Sequence, residues 1–291
     1  MTYQQAIEKV DSRLRFGIKA GLANITELLH RLGDPQKSLR FVHVAGTNGK
    51  GTTCTLLASI LHQAGYRTGL FTSPYVIDFR ERFIINGAMI EEKDVIPLVE
   101  AVDPVVAAME RENIYVTEFE YITAMAFLWF QKEQCDIVVL EVGLGGRFDA
   151  TNVIDVPELA VIASISLDHT AILGDTVEQI AFEKAGIIKP GGTAVVYPDE
   201  PEGARRVLEQ SCREKGARFV QAAAGDVTVQ ETTISGTRLL WKGTVPLSMR
   251  FIGEHQRLNA ANVLAGVSIL REKGWNLPDE SVQKGFAAAR I

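Results

Sequence analysis

The sequence is short of cysteine, of long apolar runs and of surplus basic charge, and each shortage removes a class of protein. Only Cys54, Cys135 and Cys212 occur in 291 residues. They lie too far apart for a CxxC metal pattern and give no disulfide framework, which points to a reducing cytoplasm. No unbroken apolar stretch approaches the roughly eighteen residues of a membrane span. The opening MTYQQAIEKVDSRLRF is an amphipathic helical pattern containing acids, without the apolar centre of a signal peptide. Neither export nor membrane insertion is expected. With 30 Lys and Arg against 36 Asp and Glu the formal net charge is −6, and no long basic run is present, so a protein that coats nucleic acid or anionic membrane is excluded. Anionic ligands must then be met by local devices. Ordinary Gly and Pro counts, with 46% hydrophobic and 23% charged residues, set aside disordered, collagenous and coiled-coil chains. The length fits about two domains or one large α/β domain.

What is present is an alternation of strand and helix patterns. RFVHVA at 40–45 is a short β-branched run, GTNGKG follows it, and TTCTLLASILHQAG has helical periodicity. RTGLFTS at 67–73 supplies a second strand and thus a right-handed parallel crossover. Residues 74–92 carry Pro74, three charges at 80–82 and an Asn-Gly turn signal at 86–87, and are expected as a surface excursion that can touch substrate. A helix is expected from about Thr117 to Gln134. DIVVLEVG at 136–143 and ELAVIASIS at 158–166 are nearly continuous apolar runs, the mark of strands covered on both faces. TVEQIAFEKAGIIKPGG reads as a helix stopped by Pro190 and Gly191. GTAVVY, a helix near 201–215 and ARFVQA continue the pattern. TVQETTISGTRLLWKGTVPLSMRF then alternates over short stretches, expected as antiparallel hairpins at a sheet edge, and helices at 255–273 and 278–289 close the chain. The pattern specifies an α/β fold: a mostly parallel P-loop-type sheet flanked by helices, with a small antiparallel β edge.

The strongest chemical signal is Gly46-Thr47-Asn48-Gly49-Lys50-Gly51-Thr52 between a strand and a helix. Glycines let backbone N–H groups approach phosphate oxygens, the helix N-terminus adds a favourable dipole, Lys50 can reach the outer phosphates and the Thr52 hydroxyl can sit on Mg²⁺. The spacing is not that of the standard P-loop, because Gly46 stands three before Gly49 and Gly51 separates Lys50 from Thr52. Glu141 ends a buried strand, where a carboxylate can hold Mg²⁺ or be an ordinary loop acid. His169 occupies the matching place after the next strand; taken alone it reads as a hydrogen-bonding histidine, since Mg²⁺ prefers oxygen. Lys184 lies in a helix, where most lysines are solvated. Cys54 reads as a small buried filler and His43 as structural. Thr117-Glu118-Phe119-Glu120-Tyr121 suits helix capping as well as contact with a flat aromatic ligand.

Six motifs in order give this chain a close resemblance to the folylpolyglutamate synthases, including the bifunctional dihydrofolate synthases, within the Mur-ligase-like ATP-dependent amide ligases. They are HVAGTNGKGTT (43–53), FTSPYVIDFRERFIING (71–87), TEFEYITAMAF (117–127), LEVGLGGRFDATN (140–152), SLDHTAILGDTVEQIAFEKAGIIKPG (166–191) and GEHQRLNAANVLAG (253–266). The resemblance implies that Gly49, Lys50, Gly51 and Thr52 hold the ATP phosphates and that Ser73, Glu141 and His169 ligate Mg²⁺. It further implies that Lys184 is carbamylated in support of a second Mg²⁺, and that Asn259, with Gln256 nearby, contacts adenine. Thr117, Phe119, Glu120 and Phe148 are implied on the pterin side, with the 74–83 loop as a mobile wall. The implied reaction adds L-glutamate to folate or dihydropteroate through an acyl phosphate, with release of ADP and phosphate. The catalytic residues implied are Lys50, Lys184 and His169. Partners would be small molecules only, and the protein a monomer. Members of the family are usually longer, so residues 1–291 are expected to be the N-terminal plus central ATPase domain, with the C-terminal glutamate-binding Rossmann-like domain absent. Two rivals within ligase chemistry and binding stay open: a Mur ligase for muramyl peptide, and a nucleotide-binding fragment. A switch GTPase would need NKxD and DxxG sequences, and neither is found.

Overall fold

In the computed structural model, the apolar runs become strands β1 (Phe41–Ala45), β2 (Thr68–Phe71), β3 (Phe83–Ile85), β4 (Ala88–Met89), β5 (Ile137–Glu141), β6 (Leu159–Ile162), β7 (Thr193–Val196), β8 (Arg218–Gln221), β9 (Val227–Thr233), β10 (Gly236–Trp241) and β11 (Val245–Met249). The helices are α1 (Tyr3–Asp11), α2 (Ala23–Arg31), α3 (Lys50–Gln63), α4 (Glu92–Arg111), α5 (Glu118–Lys132), α6 (Thr170–Leu173), α7 (Val177–Lys184), α8 (Glu202–Glu214), α9 (Glu254–Glu272) and α10 (Asp279–Ala288). The structure describes residues 1–17 and 21–290; residues 18–20 and Ile291, which the 1–291 reading includes, lie outside the described residues. No helix among them is long and apolar enough to cross a membrane.

Eight strands form one sheet in the order β4-β3-β2-β5-β1-β6-β7-β8. From β2 to β8 the pairings are parallel, while β3 and β4 are antiparallel at one edge. Alternation within β5 shows how the sheet is covered. Val138 and Leu140 join the cluster formed by α1, α2, α4 and α5, whereas Ile137 and Val139 join the one formed by α3, α9 and α10. A third cluster packs α7 and α8 on Ala160, Ile162, Ala194 and Val196. Both faces are therefore buried, as the uninterrupted apolarity requires, and each fully buried large side chain such as Phe127 contributes about 1.5–3 kcal/mol.

Three expectations are revised. Helix α4 lies where no helix was expected, because Pro97 and Pro104 stand inside it. Each removes an intrahelical donor at a cost of about 3 kcal/mol, and burial of Val95, Leu98, Val99, Val102, Val106 and Met109 along one face offsets it. The 74–92 stretch is only partly a surface excursion. Phe83 pairs with Phe71 across the β2–β3 ladder and is fully buried. The last antiparallel strands, β9 to β11, do not extend the large sheet but form a separate one in the order β11-β10-β9. Val227, Leu239, Trp241, Leu247 and Met249 bury their side chains against the α3, α9 and α10 layer instead, and the antiparallel edge of the large sheet is β3 and β4.

Candidate functional site

The parallel strands all point their C-terminal ends to one edge, where α/β sheets bind ligands. Along that edge, in the order β2, β5, β1, β6, β7, stand Ser73, Glu141, the glycine loop, Ser164 to Ser166, and Glu200. The loop is laced to the segment after β6. Thr47 and Asn48 N–H groups donate to the Ser164 carbonyl at 2.7 and 3.2 Å. The Thr47 hydroxyl donates to the Ser166 carbonyl at 3.1 Å and accepts from the Ser166 N–H at 3.2 Å. Gly46 is pressed on Ala163, just after β6, since a Cβ there would lie 2.7 Å from the Ala163 Cβ. Gly49 caps α3 with φ of 78°, and a Cβ on it would come within 2.6 Å of the Asn259 Oδ1. Only glycine meets both demands.

Two ammonium groups converge on one carbonyl. Lys50 Nζ donates to Gly46 O at 3.1 Å and to Thr47 O at 3.3 Å, and Lys184 Nζ donates to the same Gly46 O at 2.8 Å. Lys184 is buried, contrary to the solvated reading of a helical lysine. Burial, reinforced by the charge of Lys50, pulls its pKa down to about 8. Glu141 is buried as well; burial pushes its carboxyl up to about 7 against the opposing pull of Lys50, and it accepts a weak hydrogen bond from the Ser73 N–H at 3.4 Å. Thr52, buried, lies in the first turn of α3. Hydroxyls and a carboxylate are the donors a hard cation takes, so this edge fits Mg²⁺. Among the described residues no group of three or more His, Cys, Asp or Glu forms a ready cage.

His169 is exposed at the start of α6 with φ of 47°, and its Nε2 lies 3.7 Å from the Asp168 Oδ2. Asn259 and Gln256 are buried near the start of α9, where the Asn259 amide donates to the Gln256 Oε1 at 3.0 Å and rests against Gly49. The fold thus brings Asn259 onto the glycine loop, with Gln256 bonded behind it.

Beside this edge lies a cavity of ≈ 480 Å³. Thr117, Phe119, Glu120 and Phe148 all line it, as do Ser73 and Arg82. Thr117 is also the N-cap of α5, with its N–H and hydroxyl donating to the Glu120 carboxylate at 2.8 and 2.9 Å. Capping and cavity lining, alternatives in the sequence, coexist. The 74–83 wall holds its shape through Glu81, which accepts from the N–H groups of Val76, Ile77 and Asp78, while Val76 and Ile77 stand 84% and 88% exposed.

Several site residues escaped sequence reasoning. Arg82 appears there only as one of three loop charges, yet it is buried in the cavity wall, 4.0 Å from Glu118, with Nε and Nη1 lacking partners. Asp149 accepts from the Leu144 N–H at 2.9 Å and from Thr151, and so shapes the glycine-rich wall 143–146. Its place in the LEVGLGGRFDATN motif was the available signal. His43 is structural as expected, buried, with Nε2 2.8 Å from the Thr151 hydroxyl, and Cys54 is a buried filler.

The Mur ligase middle domain family matches residues 44–269. A dihydrofolate synthase/folylpolyglutamate synthase of Bacillus subtilis (strain 168) is 42% identical over 99% of this chain and 68% of its own length. Among solved structures, an FPGS–AMPPCP–folate complex superposes with a TM-score of 0.89 at 30% identity, covering 100% of this chain and 72% of the other. A Mycobacterium tuberculosis folylpolyglutamate synthase complexed with ADP does so at 0.88 and 33% identity, covering 99% and 66%. Matched along nearly its whole length in sequence and in fold, the chain belongs to the folylpolyglutamate and dihydrofolate synthase family of Mur-type ligases.

Proposed function

We propose that this chain is the ATPase part, N-terminal plus central, of a cytoplasmic, monomeric ligase that joins L-glutamate to the carboxylate of a folate or dihydropteroate. The observation that carries the reading is the position of Ser73. It lines the ≈ 480 Å³ cavity and donates its N–H to Glu141 beside the phosphate loop. A flat substrate held between Phe119 and Phe148 would point its carboxylate at that junction.

A carboxylate does not acylate an amine at neutral pH, so its oxygen first attacks the γ-phosphorus of ATP. The bond from that phosphorus to the β-bridging oxygen breaks, and ADP leaves. The amine of glutamate then attacks the acyl carbon, the C–O bond to phosphate breaks, and an amide, inorganic phosphate and a proton result. The loop from Gly46 to Thr52 would bind the triphosphate through backbone N–H groups, with Lys50 turning from the loop carbonyls to the β- and γ-phosphates. Asn259 and Gln256 would meet adenine. Thr52, Ser73, Glu141 and His169 are the residues that would hold magnesium. Lys184, with its pKa drawn down to about 8, has a neutral fraction able to take up CO₂ as a carbamate, which would add a further carboxylate to that set. Bound magnesium would screen the repulsion between carboxylate and triphosphate. No covalent enzyme nucleophile takes part.

The test is release of ADP by the purified protein with its substrates varied one at a time. ADP is expected only with Mg²⁺ and a folate or dihydropteroate, and an amide product only when glutamate is added. ADP formed regardless of acceptor, or a product built on a muramyl peptide, would refute the folate assignment.

A further inference from the structure

Glu200 follows β7 at the same sheet edge, in the connection to α8, and no step above uses it. It is 9% exposed, and its Oε2 accepts from the Ile165 N–H at 3.0 Å while Oε1 is buried without a partner. Ile165 sits between the two serines to which the phosphate loop is laced: Ser164 O takes the N–H groups of Thr47 and Asn48, and Ser166 exchanges two hydrogen bonds with the Thr47 hydroxyl. Asn48 Nδ2 adds a bond to the Ser166 hydroxyl at 3.3 Å. The loop therefore leans on the three-residue segment 164–166, and the Glu200 carboxyl grips the middle of that segment through the Ile165 N–H.

We propose that Glu200 is a positioning residue for nucleotide, acting through Ile165 and the 164–166 segment to fix the phosphate loop in its binding shape. Resting on the phosphate-loop reading given above, this adds a residue two strands away from the loop. A side chain buried for one backbone bond is costly unless that bond holds something in place. Burial pushes the Glu200 carboxyl up to about 8, so it is largely neutral at pH 7 and its acceptor oxygen, rather than its charge, makes the grip. An amide of the same shape should do the same.

The experiment measures binding of β,γ-methylene ATP with Mg²⁺, and separately of a folate, to the wild-type chain and to Glu200→Ala, Glu200→Asp and Glu200→Gln. Glu200→Ala is expected to weaken nucleotide binding about tenfold, the effect of losing one buried hydrogen bond that fixes a binding loop, and to leave folate binding unchanged. Glu200→Gln is expected to stay within about twofold of wild type. Glu200→Asp, which withdraws the acceptor by one methylene and serves if the alanine variant does not fold, should resemble Glu200→Ala. A merely structural role would weaken both ligands in step with the melting temperature, and that result overturns the proposal. So does wild-type nucleotide affinity in Glu200→Asp, or a Gln variant that fails to rescue. A wild-type chain that does not bind the analogue overturns the phosphate-loop reading together with the proposal, whereas binding by wild type and variants alike overturns the proposal alone.

Discussion

Two glycines of the phosphate loop, changed to alanine one at a time, should separate folding from nucleotide binding. At Gly49, φ is 78° and the new Cβ would stand 2.6 Å from the Asn259 Oδ1. The left-handed backbone costs about 1–2 kcal/mol for a residue with a Cβ, and the overlap with a buried, hydrogen-bonded amide adds about 1–3 kcal/mol. For a chain of this size the total lowers the melting temperature by roughly 3–8 °C. At Gly51 a Cβ meets nothing within 4 Å, and the residue lies in the first turn of α3, so alanine there should leave the melting temperature equal or slightly raised. On the proposed reading, that open space is where phosphate oxygens approach backbone N–H groups. In a thermal melt, β,γ-methylene ATP at about a hundred times its Kd stabilises the wild-type protein by about 2.7 kcal/mol, a rise of roughly 4 °C. Gly51→Ala should lose most of that rise while melting normally without ligand; Gly49→Ala should be impaired in both. A Gly51→Ala protein that keeps the full nucleotide shift would refute this placement of the phosphates.

Further outcomes follow from three buried ionisable groups. Arg82→Leu should raise the KM or Kd for a folate or dihydropteroate by about tenfold or more, with nucleotide affinity and melting temperature little changed; isothermal titration with each ligand checks the contrast. Glu141→Gln should abolish the Mg²⁺ dependence of nucleotide binding. Because the Glu141 pKa is raised to about 7 from 4.5, folded and unfolded forms are both protonated below pH 4.5, and stability is lost as pH rises to about 7. The metal-free Gln variant should therefore be more stable than wild type at pH 8, by up to about 3 kcal/mol in urea unfolding, and the gain should vanish near pH 4. The sign is opposite for His43, whose pKa burial lowers from 6.5 to about 3. It is neutral in both states above about pH 6.5, and below that the unfolded chain takes up a proton the folded one refuses. His43→Gln should flatten the wild-type loss of stability between pH 6.5 and 3, by about 1.4 kcal/mol per pH unit at most.

The parallel core was legible because its strands are apolar on both faces. RFVHVA, DIVVLEVG and ELAVIASIS became β1, β5 and β6 within a few residues of the expected ends. The glycine loop was legible because its residue types have few other uses at a strand-to-helix turn. Failures came where a tertiary partner overrode a local signal. Pro97 and Pro104 disguised α4, whose stability resides in its buried face. The β9–β11 hairpins alternate as edge strands do, yet the surface that takes their apolar side is a helix layer. Lys184 looked solvated because nothing in EKAG states that Gly46 O will lie 2.8 Å away, and Glu200 carried no signal for a bond made across β6 and β7.

On the proposed reading, the capping box at the start of α5 ties ligand choice to folding. Thr117 and Glu120 satisfy each other's backbone donors and at the same time form cavity wall. Any change made there to admit a bulkier or differently polar ring also uncaps a 15-residue helix that carries much of one core cluster, at about 1 kcal/mol for the cap alone. Phe148 also lines the cavity, is 43% exposed and caps no helix. On the proposed reading, substrate range is thus anchored to the fold at Thr117 and Glu120 and free to drift at Phe148.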